Sequence, residues 1–315
     1  MNETPVVLFT LFGFPIYAYG MALALSIVLG LLLCRRCFKR CFSDPPQADA
    51  LALWVIPAAL LGARLVYCLA RLDGIVADLG GSFVYQLWLG GYSIVGALLG
   101  GVLGAWLFAR RKRISFMKVL DAAAPGALLV IALCRGAECF TAQGLGDLVE
   151  NPALCFFPFG IADVDGDFYI PVFFWEGLAA LGIMLWALHR LRQGRTRETA
   201  LLSLLLLCAC QIFLESLRED DSLRFGFVRF NQLAAAIGML GVMLLLAHNR
   251  KTPRPALAKR LIGFFLLVFL MIGIEFALDK TPWNHVLLYG VMIAALCGCV
   301  ALTFRLPKAA QSAAA

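Results

Sequence analysis

Apolar runs of membrane-spanning length recur along the whole chain, and charge breaks the chain between them. They lie near residues 16–33, 48–70, 93–109, 119–135, 171–188, 199–217, 232–247, 261–278 and 286–304. Each is close to the roughly 20 residues needed to cross the hydrocarbon core of a bilayer. The 315 residues are 62% hydrophobic and 15% charged, with a mean hydropathy of +0.85. A soluble domain carries about a quarter charged residues. Soluble classes are excluded, and the pattern predicts an all-α polytopic membrane protein with about nine transmembrane helices.

Positive charge collects in alternate loops. Arg35, Arg36, Lys39 and Arg40 follow the first run, and Arg110, Arg111, Lys112, Arg113 and Lys118 the third. Arg190, Arg192, Arg195 and Arg197 follow the fifth, Arg250, Lys251, Arg254, Lys259 and Arg260 the seventh, and Arg305 and Lys308 the last. The positive-inside rule puts these loops in the cytoplasm, the N-terminus outside and the C-terminus inside. The basic cluster follows the first apolar run, the reverse of a cleaved signal peptide. The net charge of +7 is therefore a topological signal, and no nucleic-acid partner is expected.

Between the runs, little is available for chemistry. Residues 1–15 are apolar and aromatic, suiting an outer interfacial segment, and residues 306–315 read as a disordered tail. Residues 136–170 form one small extracytoplasmic segment. Within it, Asp163 to Asp167 lacks the phasing and distal glutamate of a calcium loop, and Asp165-Gly166 reads as a hairpin turn. Cys34, Cys37 and Cys41 have no fourth ligand nearby, so no metal site is expected. Only Cys139 and Cys155 face an exterior in which a disulfide would persist. Gly96, Gly100 and Gly104, four residues apart, suit close helix packing. No nucleotide-binding or zinc motif occurs and no cofactor is implied.

Ionisable residues concentrate at one depth. Arg64, Arg135, Glu138, Glu176, Glu215 and Arg218 fall near the outer ends of the second, fourth, fifth and sixth runs. Intramembrane charge is costly unless paired, hydrated or functional. Arg135 and Glu138, like Glu215 and Arg218, are three residues apart and share a helical face. A purely structural ion-pair network is one account. A polar cavity gripping an anionic headgroup is the other, because arginine binds phosphate bidentately and stays charged.

The order of short motifs resembles the prolipoprotein diacylglyceryl transferase family, polytopic enzymes of the bacterial plasma (inner) membrane. Tyr19-Gly20-Met21 resembles the family's Tyr-Gly-Leu-Met, and Gly62-Ala63-Arg64-Leu65 with Tyr67 its Gly-(Gly/Ala)-Arg-(Leu/Ile)-Gly-Tyr. Gly90-Gly91-Tyr92-Ser93 resembles Gly-Gly-Met-Ser, and Asp121 to Pro125 resembles Asp-x-x-Ala-Pro. Arg135 falls on the arginine of Gly-Arg-x-x-Asn-Phe-x-Asn-x-Glu. Pro171 and Glu176 fall in His-Pro-Ser-Gln-x-Tyr-Glu, Glu215 and Arg218 in Glu-x-x-Arg, and Gln232 on a glutamine opening the last shared span.

The chain also departs from the family. Val95 replaces a histidine, Glu138 an asparagine and Gln143 a glutamate, while Ile170, Phe173 and Trp175 replace a histidine, a glutamine and a tyrosine. The resemblance implies a seven-helix core over 1–250, with two additional helices in 251–305. It further implies transfer of a diacylglyceryl group from phosphatidylglycerol to the lipobox cysteine of a prolipoprotein. Arg135, Arg218, Glu138 and Glu176 are then the candidate catalytic residues. Arg64, Tyr19, Tyr92, Ser93, Glu215 and Gln232 are candidate substrate contacts. The altered acid/base positions leave open the alternative of a silent relative that holds lipid or a partner.

Overall fold

The structure, a computed structural model, describes residues 6–43, 48–70, 91–141, 143–163, 165–219, 224–225, 228–281 and 283–307. Most of the aromatic, glycine-rich stretch after the second run, at 71–90, and most of the expected tail, at 308–315, lie outside the described residues. Among the described residues nine helices are long and apolar enough to cross a membrane. They are α1 (Ala18–Cys41), α2 (Ala48–Ala70), α3 (Ile94–Lys112), α4 (Phe116–Ala137), α5 (Val172–Arg192), α6 (Thr199–Ser216), α7 (Phe230–Asn249), α8 (Arg254–Lys280) and α9 (His285–Phe304). The expected all-α membrane fold is observed.

Two helix ends differ from expectation. Helix α1 runs on to Cys41 through Arg35, Arg36, Lys39 and Arg40, and α8 starts at Arg254 rather than near 261. Hydropathy falls where charge begins, but the backbone keeps its helical hydrogen bonds while long basic side chains reach for the interface. At α8, Pro253 and Pro255 suit a helix start, where the missing N–H costs nothing.

By contacts the chain forms two units. The first comprises Met1–Ser26, Val130–Ile183 and Leu201–Ala315, and the second Ile27–Leu129 and Met184–Ala200.

In the second unit, α2 and α3 meet at a seam of glycines. A Cβ on Gly96 would lie 2.8 Å from the Val66 Cβ, and one on Gly104 would lie 2.5 Å from the Trp54 carbonyl oxygen. Lipid is as apolar as leucine, so such helices associate through close backbone packing rather than a hydrophobic drive. Nearby, Phe38, Leu51, Phe108, Val119 and Ala122 form a buried core. Asp121, almost fully buried, accepts from the backbone N–H groups of Arg197 and Ala200. It thereby satisfies the Ala200 donor in the first turn of α6, which the helix leaves unpaired, and one in the turn before it. Arg110 lies over the Trp106 ring at 4.5 Å and Arg190 over Trp186 at 5.0 Å, the aromatic-and-basic ending of interfacial helices.

In the first unit, the apolar N-terminal segment is an antiparallel hairpin of β1 (Val7–Leu11) and β2 (Phe14–Tyr17), with Phe12 at its tip 92% exposed. The 136–170 segment carries a second hairpin, β3 (Ile161–Ala162) with β4 (Phe168–Tyr169). The turn expected at Asp165-Gly166 is present, with Gly166 at φ +90. One carboxylate oxygen of Asp163 accepts from the N–H groups of Asp165, Gly166 and Asp167, an Asx-type turn. Residues 144–148 then pair with Ile170 and Tyr169 on one side, and with Arg218 and Glu219 on the other. Both Cys139 and Cys155 are free thiols. A third short pair, β5 (Arg224–Phe225) and β6 (Val228–Arg229), leads into α7.

Gly100 and its neighbour Gly101 separate the seam from ordinary surface. A Cβ on Gly100 would sit 2.8 Å from the Ala58 carbonyl carbon, whereas one on Gly101 finds only side chains at 3.7 and 3.9 Å. Gly100→Ala is expected to destabilise by about 1–3 kcal/mol, as overpacking does. Gly101→Ala should be neutral or stabilising by up to about 1 kcal/mol. Thermal denaturation of the two variants in detergent checks the contrast.

Candidate functional site

Arg135 in the last turn of α4, Glu176 near the start of α5, and Gln211 with Glu215 on α6 interrupt otherwise apolar sequence, and in the first unit these groups meet. Glu176 is the centre, with its side chain only 3% exposed. Its Oε2 accepts from Arg135 Nε at 3.1 Å and from Arg218 Nη1 at 3.0 Å, while Oε1 accepts from Gln211 Nε2 at 2.9 Å. The same Gln211 nitrogen donates to Glu215 Oε2 at 2.9 Å, and Asn231 Nδ2 donates to Glu215 Oε1 at 3.0 Å. Arg135 also donates from Nη1 to Glu138 Oε1 at 2.6 Å.

The backbone explains how Glu176 reaches so far. Gly177 follows it, and a Cβ there would stand 3.0 Å from the Ala132 carbonyl oxygen. The missing side chain lets α5 approach α4 closely enough to bring Glu176 to Arg135. Arg218, two residues beyond α6, is held by its own backbone. It bridges to Gly146, and its carbonyl accepts from the Arg229 guanidinium.

Glu138 differs from the other acids. Its Oε1 is taken by Arg135, but its buried Oε2 has no hydrogen-bond partner among the described residues. Leaving a buried acceptor unmade costs about 1–3 kcal/mol, so such a group demands an explanation. Gly144, at φ +76, lies against it, and a Cβ there would be 2.6 Å from that oxygen. Beside Arg135, Glu176 and Gln211 a cavity of about 10 Å³ has room for a single water.

The remaining expected residues fall into three places. Tyr19 opens α1, and its hydroxyl lies 3.3 Å from Cys134 Sγ, one residue before Arg135. Gln232 accepts from Arg229 N at 3.1 Å and donates to Glu275 Oε1 at 2.6 Å and to the Ile212 carbonyl. In the second unit, buried Arg64 donates from Nη1 to Gly91 O at 3.1 Å and lies 5.7 Å over the Tyr92 ring. There Ser93 caps α3, its hydroxyl accepting from Gly96 N at 3.3 Å. The structure thus joins Arg135, Glu138, Glu176, Glu215 and Arg218 in one network, and links Gln232 to it through Arg229.

Sequence reasoning missed Gln211, Arg229, Asn231 and Glu275. Gln211 carried a readable signal, since it lies four residues before Glu215 and the two share a face of an apolar helix. Glu275 lies near the end of the eighth apolar run with no ionisable partner at helical spacing before it in that run, and Arg229 lies outside the seventh run.

Fold and site define a class: polytopic helical membrane proteins with a buried arginine–carboxylate network gathered from several helices. Residues 6–248 match the family model described as prolipoprotein diacylglyceryl transferase. A relative from Frankia alni is 32% identical over 246 residues, covering 76% of this chain and 65% of that protein. A relative from Acaryochloris marina is 31% identical, covering 75% of this chain and 88% of its own length. One from Gloeobacter violaceus is also 31% identical, covering 77% and 92%. All three are named phosphatidylglycerol–prolipoprotein diacylglyceryl transferase. The chain belongs to the prolipoprotein diacylglyceryl transferase family and is a multi-pass protein of the bacterial plasma membrane.

Removing the shared acid takes one carboxylate partner from each of two buried guanidinium groups. Breaking a buried pair in this way costs about 3–5 kcal/mol. Glu176→Ala should lower the denaturation midpoint in detergent by many degrees. Leu185→Ala, at an exposed position on the same helix, should change it little.

Proposed function

We propose that this protein transfers a diacylglyceryl group from phosphatidylglycerol to the lipobox cysteine of prolipoproteins. Family membership supports the reaction class. The observation that carries the assignment of roles is the convergence of Arg135 and Arg218 on one oxygen of Glu176. A carboxylate holding two guanidinium groups together orders them before substrate arrives. Pre-ordered donors at a position of developing charge are worth more than flexible ones. In this reading Arg135 and Arg218 stabilise the leaving phosphate, with Tyr19 as a lipid contact. Glu215 keeps Gln211 and Asn231 in place, and Gln232 and Ser93 support the backbone.

The reaction then runs as a displacement. A cysteine thiol has a pKa of about 8.5 and needs a base to become a good nucleophile near neutral pH. Both oxygens of Glu176 are engaged, whereas Glu138 Oε2 is unpartnered among the described residues, so Glu138 takes the thiol proton. The sulfur attacks the glycerol carbon bearing the phosphate. The C–S bond forms as the C–O bond breaks, and the electron pair leaves on glycerol phosphate.

The purified protein in phosphatidylglycerol liposomes should add a diacylglyceryl group to a lipobox peptide, read as a mass increase. Arg135→Ala should lower kcat/KM by at least about 10²-fold, as loss of a transition-state donor does. Glu138→Gln should lower kcat by about 10²–10⁴-fold, the usual share of a general base. Full turnover by Arg135→Ala would overturn these roles. A lipid- or partner-holding protein without turnover is the second reading. Val95 in the place of the family histidine favours it, and phosphatidylglycerol binding with no mass increase would select it.

The charge pattern supports an outer position for this cluster, with the N-terminus outside. The exposed Cys139 thiol beside Glu138 is a native probe. A membrane-impermeant maleimide should label Cys139 in intact spheroplasts, and Cys139→Ser should remove that signal.

A further inference from the structure

We infer that Glu275, on α8 and beyond the residues matched by the family model, is a positioning residue that holds Arg218 through Gln232 and Arg229. Helices α8 and α9 lie after residue 248, where the family match ends. Within the first unit they dock on the helices that carry the network. The Phe213 and Tyr289 rings pack edge to face at 6.0 Å, and Ser216 Oγ donates to Met292 Sδ at 3.7 Å. These contacts are apolar or weak. The strong polar tie to α7 is the 2.6 Å bond from Gln232 Nε2 to Glu275 Oε1.

That bond lies at the end of a relay. Gln232 is only 5% exposed. With its nitrogen fixed by Glu275, the oxygen at the other end of the same amide points back to accept from Arg229 N. An amide that flips would present its nitrogen to that N–H, two donors facing each other. Glu275, an acceptor with no proton to give when ionised, therefore reinforces, at 2.6 Å against 3.4 Å for the Ile212 carbonyl, the amide orientation that closes the start of α7. Arg229, 7% exposed, is thereby set with its guanidinium on the Arg218 carbonyl. Arg218 in turn reaches Glu176. An appended helix thus supplies the outermost link of a chain that ends on the proposed phosphate grip.

This inference rests on the proposed function for its kinetic readout, and its structural readout is independent. The experiment uses the full chain in phosphatidylglycerol liposomes with a lipobox peptide. Glu275→Ala should lower kcat by about tenfold or more, the usual cost of losing a group that orients a functional one. KM for the lipid should stay within about twofold, since Arg218 acts on the leaving group. Glu275→Gln keeps an acceptor oxygen and should recover kcat to within about threefold of wild type.

Arg260→Ala breaks the bond to the Leu302 carbonyl that joins α8 to α9, and it should leave kcat unchanged. Amide exchange in the peptide spanning 229–232 should quicken in Glu275→Ala and not in Arg260→Ala. Wild-type kcat in Glu275→Ala, no recovery in Glu275→Gln, or an equal loss in Arg260→Ala would each overturn the inference. If the wild-type protein shows no turnover, the proposed function has failed, and exchange alone decides. Quickened exchange at 229–232 in Glu275→Ala then upholds the relay, and unchanged exchange overturns it.

Discussion

A single carboxylate oxygen, Glu176 Oε2, accepts from two guanidinium groups, and the first unit is arranged so that this can happen. In a bilayer the alternative to such pairing is bare charge in hydrocarbon, at a cost no helix packing energy easily offsets. The requirement propagates outward. Gly177 brings α5 against α4, the strand-like run 144–148 anchors the backbone of Arg218, and Gln211 occupies the second oxygen of Glu176. Among the described residues, Glu138 Oε2 is a buried atom beside this network with no hydrogen-bond partner.

The two helices after residue 248 bear on the same network. Helix α9 contributes Tyr289 and Met292 against α6, and α8 contributes Glu275 to Gln232. At the other end, Arg250 donates to the Phe304 and Leu306 carbonyls and Thr252 to Pro307. The pair is therefore fastened to α7 and the loop after it at both ends by side-chain bonds, one of which satisfies the Phe304 carbonyl that the end of α9 leaves unpaired.

Much of this was legible in the residues. Membrane crossing leaves a length and composition signature that does not depend on tertiary contacts, so all nine spans could be drawn, with errors confined to ends such as those of α1 and α8. The ionisable residues near the outer ends of the runs could also be found, because charge in an apolar run stands out. Their pairing could not be read in full. Spacing of three residues exposes local partners such as Arg135 and Glu138. Whether Arg218 turns to Glu176 depends on the rotation of α5 about its axis, which no local pattern encodes. Arg229 and Glu275 were missed for the same reason: each is unremarkable in its own segment and acquires a role only through Gln232. Ser93 shows the converse, a residue singled out by its motif whose hydroxyl is a helix cap.

The seam between α2 and α3 has a consequence for how such a chain can drift. Gly62, Gly96, Gly100 and Gly104 already carry the smallest side chain available, so every substitution there adds volume against backbone that cannot move aside. Elsewhere in a core a large-to-small change on one helix can prepare room for the reverse change on its neighbour. Here the atoms a new Cβ would meet are mostly backbone, which no exchange of side chains removes. The seam is a one-way constraint: single mutations can only push the two helices apart, and a new spacing is reached by moving a whole helix rather than by exchanging side chains across the contact.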